Sequence, residues 1–231
     1  MTSLSSKRVA ETLDKLHAEA EITDRAVMAE MMAQAERSGE TLKDLAAKFV
    51  DEERLNYRTT YREHADHFLA ISSAYGRFLY AIARARRATR IVEFGTSMGI
   101  STIYLAAALR DNGGGRLIGS EIEPTKVARA RAHLEAAGLA DLVDIREGDA
   151  LDTLKDVGCE VDILSIDGAF SLYLPVLKLI EPRLTPGAVI LGENAFAQDY
   201  LDYVRAPANG YFSRPLDIDE GCGNEFTVRV G

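Results

Sequence analysis

The chain has 231 residues, 47% apolar and 27% charged, with a net charge of −9: a soluble globular composition with room for one domain, a sizeable core and an appendage. The acid excess argues against nucleic acid as a general partner, since phosphate binding relies on clustered Lys and Arg, and leaves a small acidic substrate open. Two cysteines, Cys159 and Cys222, are too few for a disulfide framework and fit a reducing cytoplasm. No signal segment at Met1–Arg8 and no membrane-length apolar run are present, so no membrane partner is expected.

Residues 1 to about 87 read as helices. Val9, Leu13, Leu16 and Ala20 recur at helical spacing, as do Ala26, Met28, Met31 and Met32, then Leu42, Leu45, Ala46 and Phe49. Ser38-Gly39-Glu40-Thr41 marks one helix ending and the next being capped. Met28, Met31 and Met32 read as core of a helical layer or as an adaptable face for a second subunit or a lid. The run Asp51–Arg58 reads as a solvated face. His64 and His67 stand at i, i+3, a spacing that can ligate a metal on one helix face; with no third ligand nearby they read as a polar face or a pocket rim. Arg84, Arg86, Arg87 and Arg90 read as cations at a helix C-terminus.

From residue 88 strands alternate with helices, which predicts a parallel sheet. The first strand holds Ile91, Val92 and Phe94, then Gly95 and Gly99 bracket a turn into the helical run from Ile103. The second strand is Arg116–Ile122, with Pro124 opening a helix that ends at Gly138. Leu142–Arg146, Val161–Ile166 and Ala188–Gly192 are the next strands. A helix over about Leu172–Leu184 and a Thr185-Pro186-Gly187 turn precede the last of them. A helix near Ala197–Val204 leads to two final strands, about Phe212–Ile218 and Glu225–Val230. These read as an antiparallel pair around Gly221-Cys222-Gly223.

Acids recur at the strand ends: Glu93, Glu121, Asp149, Asp167 and Glu193. In an open α/β sheet ligands bind at the carboxyl ends of strands, so five acids in register with five strands mark a site rather than surface solvation. The turn departs from the G-x-G-x-x-G of dinucleotide binding, with Ser97 at the middle glycine and Glu93 ahead of the first; this disfavours an NAD-dependent oxidoreductase.

Taken in order, Glu-Phe-Gly-Thr-Ser-Met-Gly-Ile-Ser-Thr, Gly-Ser-Glu-Ile-Glu-Pro, Arg-Glu-Gly-Asp-Ala-Leu, Ile-Asp-Gly followed by Tyr173-Leu174-Pro175, and Gly-Glu-Asn resemble the class I S-adenosylmethionine (SAM) methyltransferases. More narrowly, the chain resembles the metal-dependent O-methyltransferases typified by catechol and caffeoyl-CoA O-methyltransferases, from about residue 70 to the end. The resemblance implies a Rossmann-like, mostly parallel seven-stranded sheet with an antiparallel C-terminal pair. A helical extension over 1–70, acting as lid, dimer contact or both, would precede a SAM-binding domain over 71–231. It implies that Glu93, Gly95, Ser97, Gly99 and Ser101 serve the methionine part of SAM, and that Glu121 holds the ribose. Ile122 would pack on the adenine face, with Gly148, Asp149 and Ala150 at its edge. Asp167, also near SAM, would join Glu193 and Asn194 around Mg²⁺ or another divalent cation. The expected acceptor is a small hydroxylated molecule, such as a catechol or a natural-product intermediate.

Two residues depart from that pattern. Relatives commonly carry Asp where Glu193 stands, and many carry a lysine, the general base, where Phe170 stands. Deprotonation then falls to Asp167 with its cation, His64, His67, Lys178 or water. A metal-independent methyltransferase and a non-catalytic SAM-binding protein are the alternative expectations.

Overall fold

The computed structural model describes residues 2–219 and 223–231, without the side chains at 28, 31, 42, 43, 46 and 47. Three helices come first: α1 (Lys7–Ser38), α2 (Leu42–Glu63) and α3 (Ser73–Ala85). Ser6 caps α1 by accepting from the Val9 N–H, Gly39 ends it in the left-handed region, and Thr41 opens α2 with a capping box to Asp44. Val9, Leu13, Leu16 and Ala20 are buried, as their spacing predicts, in the core shared with the helices that follow. Beyond Ala20 no described side chain of α1 is buried. Met32 is exposed; the side chains of Met28 and Met31, and residues 221–222 of the expected final turn, lie outside the described part.

The alternating half runs β1 (Arg90–Phe94), α4 (Ile100–Asp111), β2 (Arg116–Glu121), α5 (Pro124–Ala137), β3 (Val143–Glu147), α6 (Ala150–Thr153), β4 (Val161–Ile166), α7 (Tyr173–Ile180), β5 (Leu184–Gly192), α8 (Gln198–Arg205), β6 (Tyr211–Pro215) and β7 (Glu225–Arg229). The sheet has seven strands in the order β3-β2-β1-β4-β5-β7-β6. β1 to β5 pair in parallel; β7 joins β5 and β6 antiparallel. Because side chains alternate along a strand, Ile91 enters the core on the α3–α5 face and Val92 and Phe94 the core on the α7–α8 face. The chain leaves β1 for β2 on one side and reaches β4 on the other. The carboxyl ends of β1 and β4 therefore open a crevice between them.

Several expectations are corrected. α2 stops at Glu63, so His64 and His67 lie in the following turns and not on a helix face. Arg90 belongs to β1; its guanidinium donates to the Val157 carbonyl at 3.3 Å. The helix expected to reach Leu184 gives way at Ile180 to a 3₁₀ turn, Glu181–Arg183, because Pro182 has no N–H to donate. β5 begins at Leu184 and takes in Thr185-Pro186-Gly187, the register with β4 breaking between Val161 and Ile163 so that the proline meets no ladder bond. β6 ends at Pro215, short of Ile218.

Candidate functional site

The turn after β1 is shaped by close approach. A Cβ on Gly95 would lie 1.9 Å from the Asp167 carbonyl oxygen, so only glycine lets β1 and β4 end side by side. Ser97 adopts a left-handed φ of 46°. Two bonds hold it there: its N–H donates to Glu121 Oε2 at 2.7 Å and its hydroxyl to the Phe68 carbonyl at 2.7 Å. Gly99 starts α4 at φ 89°. Phe68–Ile71 and Gly95–Met98 face each other across a small cleft that Ile100, Ser101 and Asp167 complete.

Glu93 is fully buried and accepts from Thr102 at 2.6 Å, Ser101 at 2.8 Å and Thr96 at 3.1 Å. Burial pushes its carboxyl up against the pull of those hydroxyls. Glu93, expected to shape the pocket, and the Ser101 hydroxyl thus brace the turn. Glu121 joins β2 to the same turn through Ser97 and accepts from the Glu123 N–H at 2.9 Å. Burial raises its pKa, with the Glu123 N–H and Lys126 opposing. Lys126, on the first turn of α5, is 3% exposed and lowered by burial, with Glu121 and Asp24 opposing.

Gly148 closes the next strand end by donating to the Glu121 carbonyl at 2.8 Å, and Ile122 follows Glu121 at the end of β2. Asp149 caps α6, at Ala150, through the Leu151 N–H at 2.9 Å. Its other oxygen accepts from Tyr57 at 2.5 Å and from Arg58 at 2.6 Å. Burial opposes its charge, but these hydrogen bonds hold the carboxyl below its usual range.

Of the three residues expected around a cation, Asp167 and Glu193 stand at adjacent strand ends, and Asn194 follows Glu193 in the chain. Ile166 pairs with Gly192, which sets Asp167 and Glu193 at adjacent strand ends. The backbone N–H groups of Asp167 and Glu193 are tied to Phe94 at 2.8 Å and Ile166 at 3.0 Å. Their carboxyls share a hydrogen bond: burial and Glu193 push Asp167 well up, and burial brings Glu193 to about 7. Asn194 takes a φ of 47°, its N–H donating to buried Asn224 at 2.9 Å. Among the described residues no three His, Cys, Asp or Glu side chains gather at a metal-binding distance, so a cation here would rely on the amide of Asn194.

α2 is bonded to the loop after β4. Glu53, 1% exposed, accepts from the Ser171 N–H at 2.6 Å, the Phe170 N–H at 3.2 Å and the Tyr61 hydroxyl at 2.8 Å. Phe170 packs edge-on against Phe49 and Phe196 and tilted against Tyr173, at the edge of the core on the α7–α8 face. The rings of His64 and His67 meet at 5.5 Å, each with an Nδ1 that has no partner among the described residues. Burial, His67 and Lys126 lower the His64 pKa. Lys178 is exposed beside Glu181 and stands over Tyr203, outside the site. Glu53, Tyr57, Arg58, Tyr61, Tyr75, Lys126 and Asn224 were not singled out from sequence. The available signal was Val50, Tyr57 and Tyr61 at helical spacing, with Glu53 on that same stripe inside the charged run.

Residues 92–195 match a family model described as a methyltransferase domain. The chain is 35% identical over 127 residues to the catechol O-methyltransferase of Mycobacterium tuberculosis (strain ATCC 25618 / H37Rv), covering 54% of this chain and 57% of that protein. It is 35% identical over 130 residues to the catechol O-methyltransferase of Niastella koreensis, covering 54% and 58%. The match thus spans less than two thirds of the length of either relative. Among solved structures, the O-methyltransferase TomG from Streptomyces achromogenes, in complex with SAM, superposes with a TM-score of 0.64 at 26% identity over 71% of this chain and 82% of that one. An O-methyltransferase from Bacillus cereus superposes at 0.64 and 23% identity over 78% and 90%, which shows the common fold.

Proposed function

We propose that this chain, whose residues 92–195 match a methyltransferase-domain model and which is similar to catechol O-methyltransferases, is a SAM-dependent O-methyltransferase acting on a small hydroxylated acceptor, assisted by a divalent cation. The observation that carries the reading is the carboxyl pair Asp167–Glu193, set beside the Gly95–Gly99 turn.

Two carboxyls in contact near neutral pH hold a proton between them, and a hard divalent cation replaces that proton when oxygen donors surround it. Asp167 and Glu193 supply two such oxygen donors, and the amide of Asn194, next in the chain, would be the third. When bound, SAM supplies the methyl group and the cation favours the oxyanion form of the acceptor hydroxyl.

The chain's own groups position the reactants, which can contribute several kcal/mol, on the order of a well-oriented encounter. Gly95, Ser97 and Gly99 present backbone to the methionine part. Glu121 offers its carboxylate to the ribose, Ile122 its side chain to the adenine, and Gly148, Asp149 and Ala150 border the adenine edge. Glu93 and Ser101 keep the turn rigid. Phe170 cannot take a proton. The base is read as His64, whose charged form burial disfavours, with His67 beside it.

The extension over 1–70 is read as a roof, since Glu53, Tyr57 and Arg58 bond to the strand-end loops. Its outer part, with Ile22 72% exposed, is read as the face on which a second copy packs to form a homodimer.

The test is methyl transfer from SAM to a panel of catechols and phenols, followed by mass spectrometry, with and without chelator. Methylated catechol lost on chelation supports the reading. SAM binding without turnover across the panel makes the chain a SAM-binding protein. One observation favours a metal-independent enzyme on this fold, with Asp167 and Glu193 serving SAM and the acceptor: among the described residues no third acid, imidazole or thiolate joins the pair. Activity that survives chelation selects it.

A further inference from the structure

Tyr75 is 1% exposed, yet its hydroxyl has no hydrogen-bond partner among the described residues. Buried hydroxyls are nearly always paired, and an orphan one calls for an explanation. The ring is held from both ends. It sits in the first turn of α3, where the Ser72 hydroxyl accepts from the Tyr75 N–H at 3.0 Å and itself donates to Asp219 at 2.5 Å. The ring also packs against Phe78 at 6.1 Å.

The ring's neighbours set it by the carboxyl end of β5: Phe78, its packing partner, meets Phe226 at 6.3 Å, and Phe226 pairs with Leu191, two residues before Glu193. The charges that act on the phenol are Glu193 and Asp167, then Tyr200 and Asp219. All are acids or phenols from the strand-end loops and α8. Tyr200 also carries an unpaired buried hydroxyl, but its ring belongs to the core on the α7–α8 face and packs edge-on against Tyr173 at 5.6 Å. Phenylalanine at position 75 would fill the same ring volume without leaving a buried oxygen unpaired. Chain packing alone therefore gives the oxygen no purpose, whereas a ligand at the acid pair does.

We propose that the Tyr75 hydroxyl is a fourth polar group of the Asp167–Glu193–Asn194 site, and that it donates its hydrogen bond to an oxygen held there. That oxygen is either a water on a bound divalent cation or the hydroxyl of the acceptor. The inference rests on the metal-assisted reading above and deepens it by naming a positioning residue.

The experiment compares wild type with Tyr75→Phe, both saturated with S-adenosylhomocysteine. Mn²⁺ is titrated calorimetrically in one arm; in the other, 4-nitrocatechol is titrated at saturating Mn²⁺ and read by its absorbance shift. Loss of one hydrogen bond to a held oxygen weakens binding about fivefold. Weakening in the first arm assigns the bond to cation-bound water; weakening in the second alone assigns it to the acceptor. The unliganded variant melts at or above wild type, because it drops an unpaired oxygen, whereas a structural hydroxyl would lower the melting point. Equal affinities in both arms overturn the inference and leave the metal-assisted reading intact. A wild type that takes up neither Mn²⁺ nor 4-nitrocatechol overturns that reading and this inference with it.

Discussion

Asp167 and Glu193 face each other from the ends of neighbouring parallel strands, with their carboxyls hydrogen-bonded to one another. The Glu193 carboxyl is brought to about 7, above its unfolded value of 4.5. A raised acid pKa means that the folded state binds the proton more tightly, so stability falls as pH rises from 4.5 through about 7. Wild type minus Glu193→Gln stability, from urea unfolding without cation, should therefore become more unfavourable to wild type between about pH 5 and pH 8. A pH-independent difference contradicts the shared proton.

The same linkage governs cation uptake. Replacing the proton with Mn²⁺ releases it, so affinity should fall as pH drops below about 7, the value reached by Glu193. Calorimetry in buffers of differing ionisation enthalpy measures the proton released. Uptake without proton release at pH 6 argues against the carboxyl pair as the ligand.

Thr102 donates to buried Glu93 at 2.6 Å. Thr102→Val leaves that carboxylate short of one of its three hydroxyl donors and should cost about 1–3 kcal/mol in urea unfolding, the usual penalty for a buried acceptor losing its partner. A loss under about 0.5 kcal/mol, the range of ordinary surface changes, would mean that the turn does not depend on this bond.

Glu53 links α2 to the Phe170 and Ser171 amides and Tyr61. Glu53→Ala frees the loop after β4 and should raise the KM for the acceptor several-fold. The opened latch should also appear as faster hydrogen exchange over residues 168–172. Unchanged exchange there would count against a roof held by this carboxylate.

Arg58 is exposed and reaches Asp149 at 2.6 Å. Exposed ion pairs contribute little, so Arg58→Ala should change stability by less than about 1 kcal/mol. Affinity for S-adenosylhomocysteine should still drop, because Asp149 borders the expected adenine edge. Calorimetric affinity equal to wild type would confine Arg58 to the surface.

Much of this site was legible in the sequence because it is local. A short β-forming run, a glycine turn and a helix place Gly95, Ser97 and Gly99 without reference to anything distant, and acids that follow successive parallel strands must meet at one sheet edge. What escaped depends on contacts between distant segments. Glu53 looks like one more charge in a solvated run until α2 folds over Phe170 and Ser171. His64 and His67 keep helical spacing in sequence, but the helix ends one residue before the first of them. The start of β5 was obscured because Pro186 reads as a turn, and only the register break opposite Val161 admits it to the sheet. The resemblance gives Glu93 and Ser101 a place at the ligand's pocket, but the hydrogen bond between them depends on how the turn folds back on β1.

The proposed metal assistance needs a divalent cation site made by Asp167, Glu193 and Asn194. Its most direct test is calorimetric titration of Mg²⁺ into protein saturated with S-adenosylhomocysteine, alongside Glu193→Ala and repeated with Mn²⁺ and a catechol present. Uptake of one cation by wild type, lost in the variant, is the predicted result. Uptake of S-adenosylhomocysteine with no cation bound under any of these conditions, or cation binding untouched by Glu193→Ala, would contradict it.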